Sequence, residues 1–240
     1  MRILKIKAYQ IFANYRKPMS FNFWDTYPLP SLSTIRGWFH SVINADKYIP
    51  LSMSIQGNFS SVVYDMQTLI KFDRVRNKKG EILLKNFKKV FSKSPTYVAN
   101  IFNIELIIYL KAEEKFLQKF KENLLKIEYP SLGRREDLAR IDFLDFIETD
   151  IKTFDIFNPH SINYGIYLNK KTAENEGLNG IHYRMNFKYN EELLEKTLLR
   201  YFEKKDVVYI DEGILQNGKY FFDEYEEPSG RIIDLIGDDI

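Results

Sequence analysis

The stretch Tyr129-Pro130-Ser131-Leu132-Gly133-Arg134-Arg135-Glu136-Asp137-Leu138-Ala139 holds the densest chemistry in the chain. Two arginines directly follow a glycine, in a turn between a helical pattern and a new apolar segment. Gly133 tolerates a positive φ and lets another backbone come close. Arg134 and Arg135 present planar, five-donor forks that match phosphate oxygens. The same Arg-Arg-Glu-Asp cluster would also serve as a solvated ion-pair corner, so the loop alone does not choose between these roles.

A second constellation runs from Tyr27 to Ile43. Two prolines, Pro28 and Pro30, stop the preceding loop, and Ser31 or Ser33 can cap a helix. Leu32, Ile35, Phe39, Val42 and Ile43 recur at helical spacing and predict one buried face. Ser33, Thr34 and Arg36 would bring hydroxyls, free N–H groups and a guanidinium to one anion site. Gly37 costs about 1 kcal/mol against alanine inside a helix, so something is expected to pack closely there. A third constellation is cationic. Lys71 to Lys93 holds nine Lys+Arg against two acids, including Arg74, Arg76, Lys78 and Lys79 around the turn Asn77-Lys78-Lys79-Gly80. Two extended arms around that turn predict a projecting basic hairpin, suited to clamping nucleic acid.

The composition narrows the chemistry. The 240 residues contain no cysteine, which excludes disulfides, zinc ribbons and thiol catalysis. Three scattered histidines (His40, His160, His182) make a poor metal set, and no cofactor is expected. No run approaches the roughly 20 apolar residues of a membrane span, and the charge-punctuated N-terminus lacks a signal-peptide core. The reading is a cytoplasmic protein without a membrane partner. The net charge of +2 hides an asymmetry: residues 1–135 hold 23 Lys+Arg against 10 Asp+Glu, while residues 136–240 hold 12 against 23. A basic half beside an acidic half suggests a polyanion on one side and a protein neighbour on the other. The alternative is that the two halves neutralise each other within one fold.

The positioning elements follow from periodicity. Ile3 to Phe12 reads as a strand, with Leu4, Ile6 and Ala8 on one face and Lys5, Lys7 and Tyr9 on a solvated one. Ser60 to Phe72, Asn103 to Leu110 and Ile141 to Ile147 read as further strands, and Glu113 to Ile127 as a helix. The expected class is α+β, with a ferredoxin-like, RNA-recognition-type domain over residues 1–150 and a basic hairpin at about 71–95. Residues 151–240 are expected to form a smaller, acidic, β-rich lobe. There Ile181 to Tyr189 alternates as a strand, Asn190 caps a helix, and Gly213 to Phe222 turns back at Asn217-Gly218. The tail from Asp223 reads as acidic and loose at its end.

These residues carry a resemblance. Pro-Ser-Leu-Ser-Thr-Ile-Arg-Gly, opening the first helix, resembles the proline-serine, helix, glycine signature of the CRISPR-associated RAMP proteins. Tyr-Pro-Ser-Leu-Gly-Arg-Arg-Glu-Asp-Leu-Ala resembles the Tyr-Pro-x-Leu-Gly-Arg-x-Glu-x-x-Ala motif of the fifth Cas family. The resemblance implies a subunit of a type I, I-B-like Cascade surveillance complex that caps the backbone filament. Its implied partners are the 5′ handle of the CRISPR RNA, the backbone and large subunits, and target DNA indirectly. The hairpin would be the family's thumb. Carried over by motif match, Ser33, Thr34 and Arg36 with Gly133, Arg134 and Arg135 would contact RNA. The tyrosine-rich character and the lack of a glycine-rich loop near the C-terminus depart from the family pattern.

One branch of that family cleaves precursor CRISPR RNA without metal, using a tyrosine after the first helix and a Lys-His pair before the glycine-arginine motif. Tyr48, Lys126 and His40 are the residues here that would serve such a metal-independent endoribonuclease. The segment Leu124-Leu125-Lys126-Ile127-Glu128 has no histidine, so the expectation is a non-catalytic RNA-binding subunit.

Overall fold

The computed structural model describes residues 1–20, 23–73, 75, 82–84 and 89–240. The elements run β1 (Arg2–Ala13), β2 (Phe23–Trp24), α1 (Leu32–Val42), β3 (Ser52–Asp73), β4 (Ile82–Leu84), β5 (Lys89–Lys111), α2 (Glu114–Leu124) and β6 (Arg140–Glu148). They continue as β7 (Asp150–Phe154), β8 (His160–Ile162), β9 (Gly165–Asn169), α3 (Lys170–Glu176), β10 (Ile181–Tyr189) and α4 (Glu191–Thr197). The last are β11 (Phe202–Ile210), β12 (Gly213–Leu215), β13 (Gly218–Asp223), β14 (Arg231–Ile233) and β15 (Ile236–Gly237). A ten-stranded sheet dominates, ordered β10-β11-β9-β3-β5-β1-β6, with β15 added to β3 and with β2 and β4 added to β5.

Apolar spacing explains why the helices lie where they do. Leu32, Ile35, Phe39 and Val42 of α1 are buried together with Leu117, Phe120 and Leu124 of α2, against Leu4, Ile6, Ile108 and Leu110 of the sheet. The rings of Phe39 and Phe120 stack at 5.3 Å. Each such side chain contributes about 1.5–3 kcal/mol by leaving water. The Ser31 hydroxyl accepts from the Thr34 N–H and caps α1, worth about 1 kcal/mol. Gly37 departs from expectation. It is exposed, and among the described residues nothing lies within 4 Å of where a Cβ would sit.

The opposite sheet face is also covered. The small sheet β14-β13-β7 brings Phe221 and Ile233 onto Ile3, Ile107 and Tyr109. Lys5, expected on a solvated face, is only 4% exposed and pairs there with Asp223 and Glu226. Burial alone would raise the Glu226 carboxyl, but hydrogen bonds from Lys5 and Lys7 outweigh it and hold the group below its usual range. Several acids of the second half are thus spent on cations of the first, as the neutralisation alternative required.

Two further expectations are corrected. The chain bends at Asn217, but the flanking strands do not pair as a hairpin. β12 pairs with β8, while β13 pairs with β7 and β14. The tail is not loose, because Ile232, Ile233 and Ile236 are buried and β15 pairs with β3. Asp238 then accepts from the Leu51 N–H, the Tyr48 hydroxyl and Lys188.

Asp234 yields a pH-dependent prediction. Burial pushes its carboxyl up to about 6, although the Asn169 N–H donates to it at 2.7 Å. Its folded pKa lies above its unfolded value, so stability is gained as pH falls through about 6 and the ionised form is a cost at pH 7. Asp234→Asn is expected to raise the thermal midpoint at pH 7 and to leave it unchanged near pH 4. An equal rise at both values would assign the effect to packing.

Candidate nucleic-acid interface

The loop after α2 is built around Asp137, which is 1% exposed. Its Oδ2 accepts from the backbone N–H groups of Arg134 at 2.8 Å and Asn14 at 3.1 Å. Both carboxylate oxygens also take the Arg134 side chain, with Nη2 at 2.7 Å from Oδ1. Gln10 Nε2 donates to the carbonyls of Leu132 and Asp137, each at 2.9 Å, and the Tyr15 hydroxyl donates to Gln10 Oε1. Gly133 sits at φ +108°, where a Cβ would lie 2.8 Å from Asp137 Oδ2. Glycine is therefore required by both backbone conformation and space.

The two arginines part company here. Arg134 is turned inward, pairing with Asp137 and donating from Nη2 to Asn100 Oδ1 at 2.9 Å. Arg135 is exposed and has no ion pair among the described residues. Arg134 thus shapes the loop, and Arg135 is the fork that can meet a phosphate from solvent.

The first helix also divides its candidates. Ser31 and Ser33 line an open pocket of about 240 Å³ with Arg16, Lys17, Tyr27 and Asn186. The Thr34 hydroxyl lies 2.9 Å from that of Ser31, at the edge of the same cap. Arg36 does not line the pocket. It is 8% exposed, donates from Nε to the Phe187 carbonyl at 2.6 Å, and lies 5.7 Å from the ring centroids of both Tyr48 and Tyr189. It fastens α1 to β10. The positive end of α1, capped at Thr34 by Ser31, lies beside Arg16 and beside Lys17, which pairs with Asp25 at 2.8 Å, so the pocket's electrostatics favour an anion.

Residues 14–16 join the loop to the pocket. Asn14 reaches Asp137 through its backbone and donates from its side chain to the carbonyls of Ala99 and Trp24. The Arg16 guanidinium lies 4.2 Å over the Trp24 ring. In sequence Arg16 and Lys17 are only two cations in the loop after β1, and without tertiary contacts nothing ties them to the helix cap. Asp137 was legible only as an acid three residues after Arg134.

β3 and β5 pair in one register from Ser52↔Lys111 out to Asp73↔Val90, broken at Ser60 and Asn103, where Asn103 takes φ 57°. At about 3.3 Å per residue the part of this ladder beyond Gly57, where β3 leaves β9 and the buried core, extends roughly 50 Å. Arg74, Arg76, Lys78 and Lys79 lie outside the described residues.

The residues named for cleavage have other employment. The Ile49 N–H donates to His40 Nε2, so the ring proton sits on Nδ1 and is donated to the Arg36 carbonyl. Burial lowers the His40 pKa and favours that neutral form. Burial, then the hydrogen bond to Asp238, raises the Tyr48 pKa and makes its phenolate hard to form. Lys126 lines a pocket with Trp38, Ser41, Tyr129 and Ser131, whereas Tyr48 lines a different one with Lys47 and Phe116. Among the described residues no cluster of three metal-ligating side chains occurs, and no helix is long and apolar enough to cross a membrane.

No curated protein sequence matches the chain significantly. Among solved structures, a chain of a CRISPR RNA-guided surveillance complex is similar over 87% of this chain and 89% of its own, at 11% identity and a TM-score of 0.55. A CRISPR protein from Archaeoglobus fulgidus aligns over 100% of both chains at 14% identity and a TM-score of 0.49. The model of the family described as CRISPR-associated protein (Cas_Cas5) matches residues 3–181, which include both motifs quoted above. The chain belongs to that family of CRISPR-associated proteins.

Proposed function

We propose that this protein is a non-catalytic RNA-binding subunit of a type I CRISPR surveillance complex, holding the 5′ handle of the CRISPR RNA. Within it, the strand order β6-β1-β5-β3 with α1 and α2 on one face supports reading the first part as a ferredoxin-like domain. The extended β3–β5 arm is consistent with a thumb. The observation that carries the reading is that Asp137 ties the exposed Arg135 loop to Asn14, two residues before the Arg16 and Lys17 that line a pocket with Ser31 and Ser33. Such a surface grips a bent phosphate backbone through charge and backbone N–H groups, and leaves sequence to be read at the bases.

A labelled CRISPR repeat RNA carrying its handle, incubated with the protein in EDTA across a salt series, tests this. Binding without cleavage, with handle preferred over scrambled RNA, is expected. A discrete cut would revive the endoribonuclease reading through Tyr48 and Lys126. Arg135→Ala is expected to weaken binding and to reduce the slope of log affinity against log salt by about 0.7, the value for one phosphate contact on a single strand. An unchanged slope would remove Arg135 from the RNA path.

A further inference from the structure

Where β2, β3 and β5 meet, the sheet exposes a row of rings that the fold does not bury. The registers pair Phe23 with Tyr97, and Tyr97 with Met66, setting the three across the strands in one line. Tyr64 is two residues from Met66 and faces the same way, its ring centroid 5.9 Å from that of Phe23. Tyr64 is 65% exposed, Met66 64%, Tyr97 57% and Phe23 39%. Lys93, four residues before Tyr97, is also exposed on this side of β5.

We propose that this row is a stacking platform for the bases of single-stranded RNA, which rests on the RNA-binding reading above and names where the bases would go. Tyrosine and phenylalanine faces accept any base, and such platforms work beside a cationic track that holds the backbone. Lys93 supplies such a cation on the row's own side of β5. β2 contributes Phe23 to the row, while its next residue, Trp24, turns to the other face of the strand, where it lies under the Arg16 guanidinium. The surrounding half of the chain carries 23 Lys+Arg against 10 Asp+Glu, complementary to RNA. Met66 supplies a soft, adaptable floor between the rings.

Stacking and charge separate experimentally. Labelled repeat RNA with its 5′ handle is titrated with the wild-type protein, with Tyr64→Ala/Tyr97→Ala, and with Tyr64→Phe/Tyr97→Phe, at several salt concentrations. The alanine pair is expected to lose about tenfold or more in affinity at every salt concentration, with an unchanged salt slope, and the phenylalanine pair to retain wild-type affinity. All four positions are exposed, so far-UV circular dichroism should be identical. Wild-type affinity in the alanine pair, or a change in slope, overturns the platform while leaving the RNA-binding reading intact. An alanine pair that binds RNA normally but fails to co-purify with neighbouring subunits makes the row a protein interface and also overturns it. A wild-type protein that binds no RNA removes both readings.

Discussion

Asp137→Ala is expected to lower the unfolding free energy by about 3–5 kcal/mol, the range for removing one partner of a buried ion pair. The carboxylate is 1% exposed and is the common acceptor for Arg134 and for two backbone N–H groups. Without it the guanidinium, with 16% of its side chain exposed, keeps the Asn100 side-chain oxygen and a longer, 3.4 Å pairing with the exposed Glu136. The two N–H groups lose their partner as well, each a further desolvation penalty. Urea unfolding of the wild type, Asp137→Ala and Arg135→Ala gives the comparison. The arginine change should stay within about 0.5 kcal/mol, as for an ordinary surface substitution. Similar midpoints for all three proteins would mean that Asp137 does not hold the loop. The same geometry warns against Arg134→Ala as a probe of RNA contact. It would strand a buried carboxylate, and weakened binding would report a deformed loop rather than a lost phosphate contact.

Asp223→Ala should cost a similar amount, again about 3–5 kcal/mol, because Lys5 is buried beneath the small sheet that carries Asp223. Asp223 also accepts from the Tyr109 hydroxyl at 2.9 Å, and that donor would be orphaned too. Glu226 remains beside Lys5 at 2.5 Å but already shares its charge with Lys7 at 2.8 Å. Replacing the pair together, Lys5→Met with Asp223→Leu, should recover most of the loss. Buried ion pairs exchanged for apolar groups of similar volume are often neutral or stabilising. A double-mutant cycle by denaturant unfolding measures the coupling. Strictly additive losses would sink the idea that these charges depend on each other.

Local regularities were the legible part of this protein. Helix α1 announces itself through Leu32, Ile35 and Phe39, and α2 through Phe116, Leu117 and Phe120, because burial at a 3.6-residue period leaves a one-dimensional trace. The glycine-arginine loop was legible as a motif, but the division of labour within it was not. Which arginine faces inward depends on Asn14, Gln10 and Asn100, all far away in sequence. Arg36 was misplaced for the same reason, since its acceptor is a carbonyl 151 residues further on. Lys5 alternates like a surface lysine, and only the return of Asp223 and Glu226 makes it a core residue. The short strands β7, β8 and β12 are too brief for a period of two to show. The bend at Asn217 was legible, but the strands around it diverge into different sheets, which turn chemistry does not encode.

The bond between Lys5 and Asp223 spans 218 residues, and that span has a consequence for biosynthesis. At roughly 5–20 residues per second, Lys5 leaves the ribosome on the order of ten to forty seconds before its partner exists. Throughout that interval β1 carries a cation whose buried partners, Asp223 and Glu226, have not yet been made. The β1–β5 pairing can form, yet the face beneath β13 must stay hydrated until the last residues arrive. Closure of that face therefore waits for Asp223 and Glu226 to emerge, and a nascent chain stalled before Asp223 would present an open, charged sheet face to the quality-control machinery.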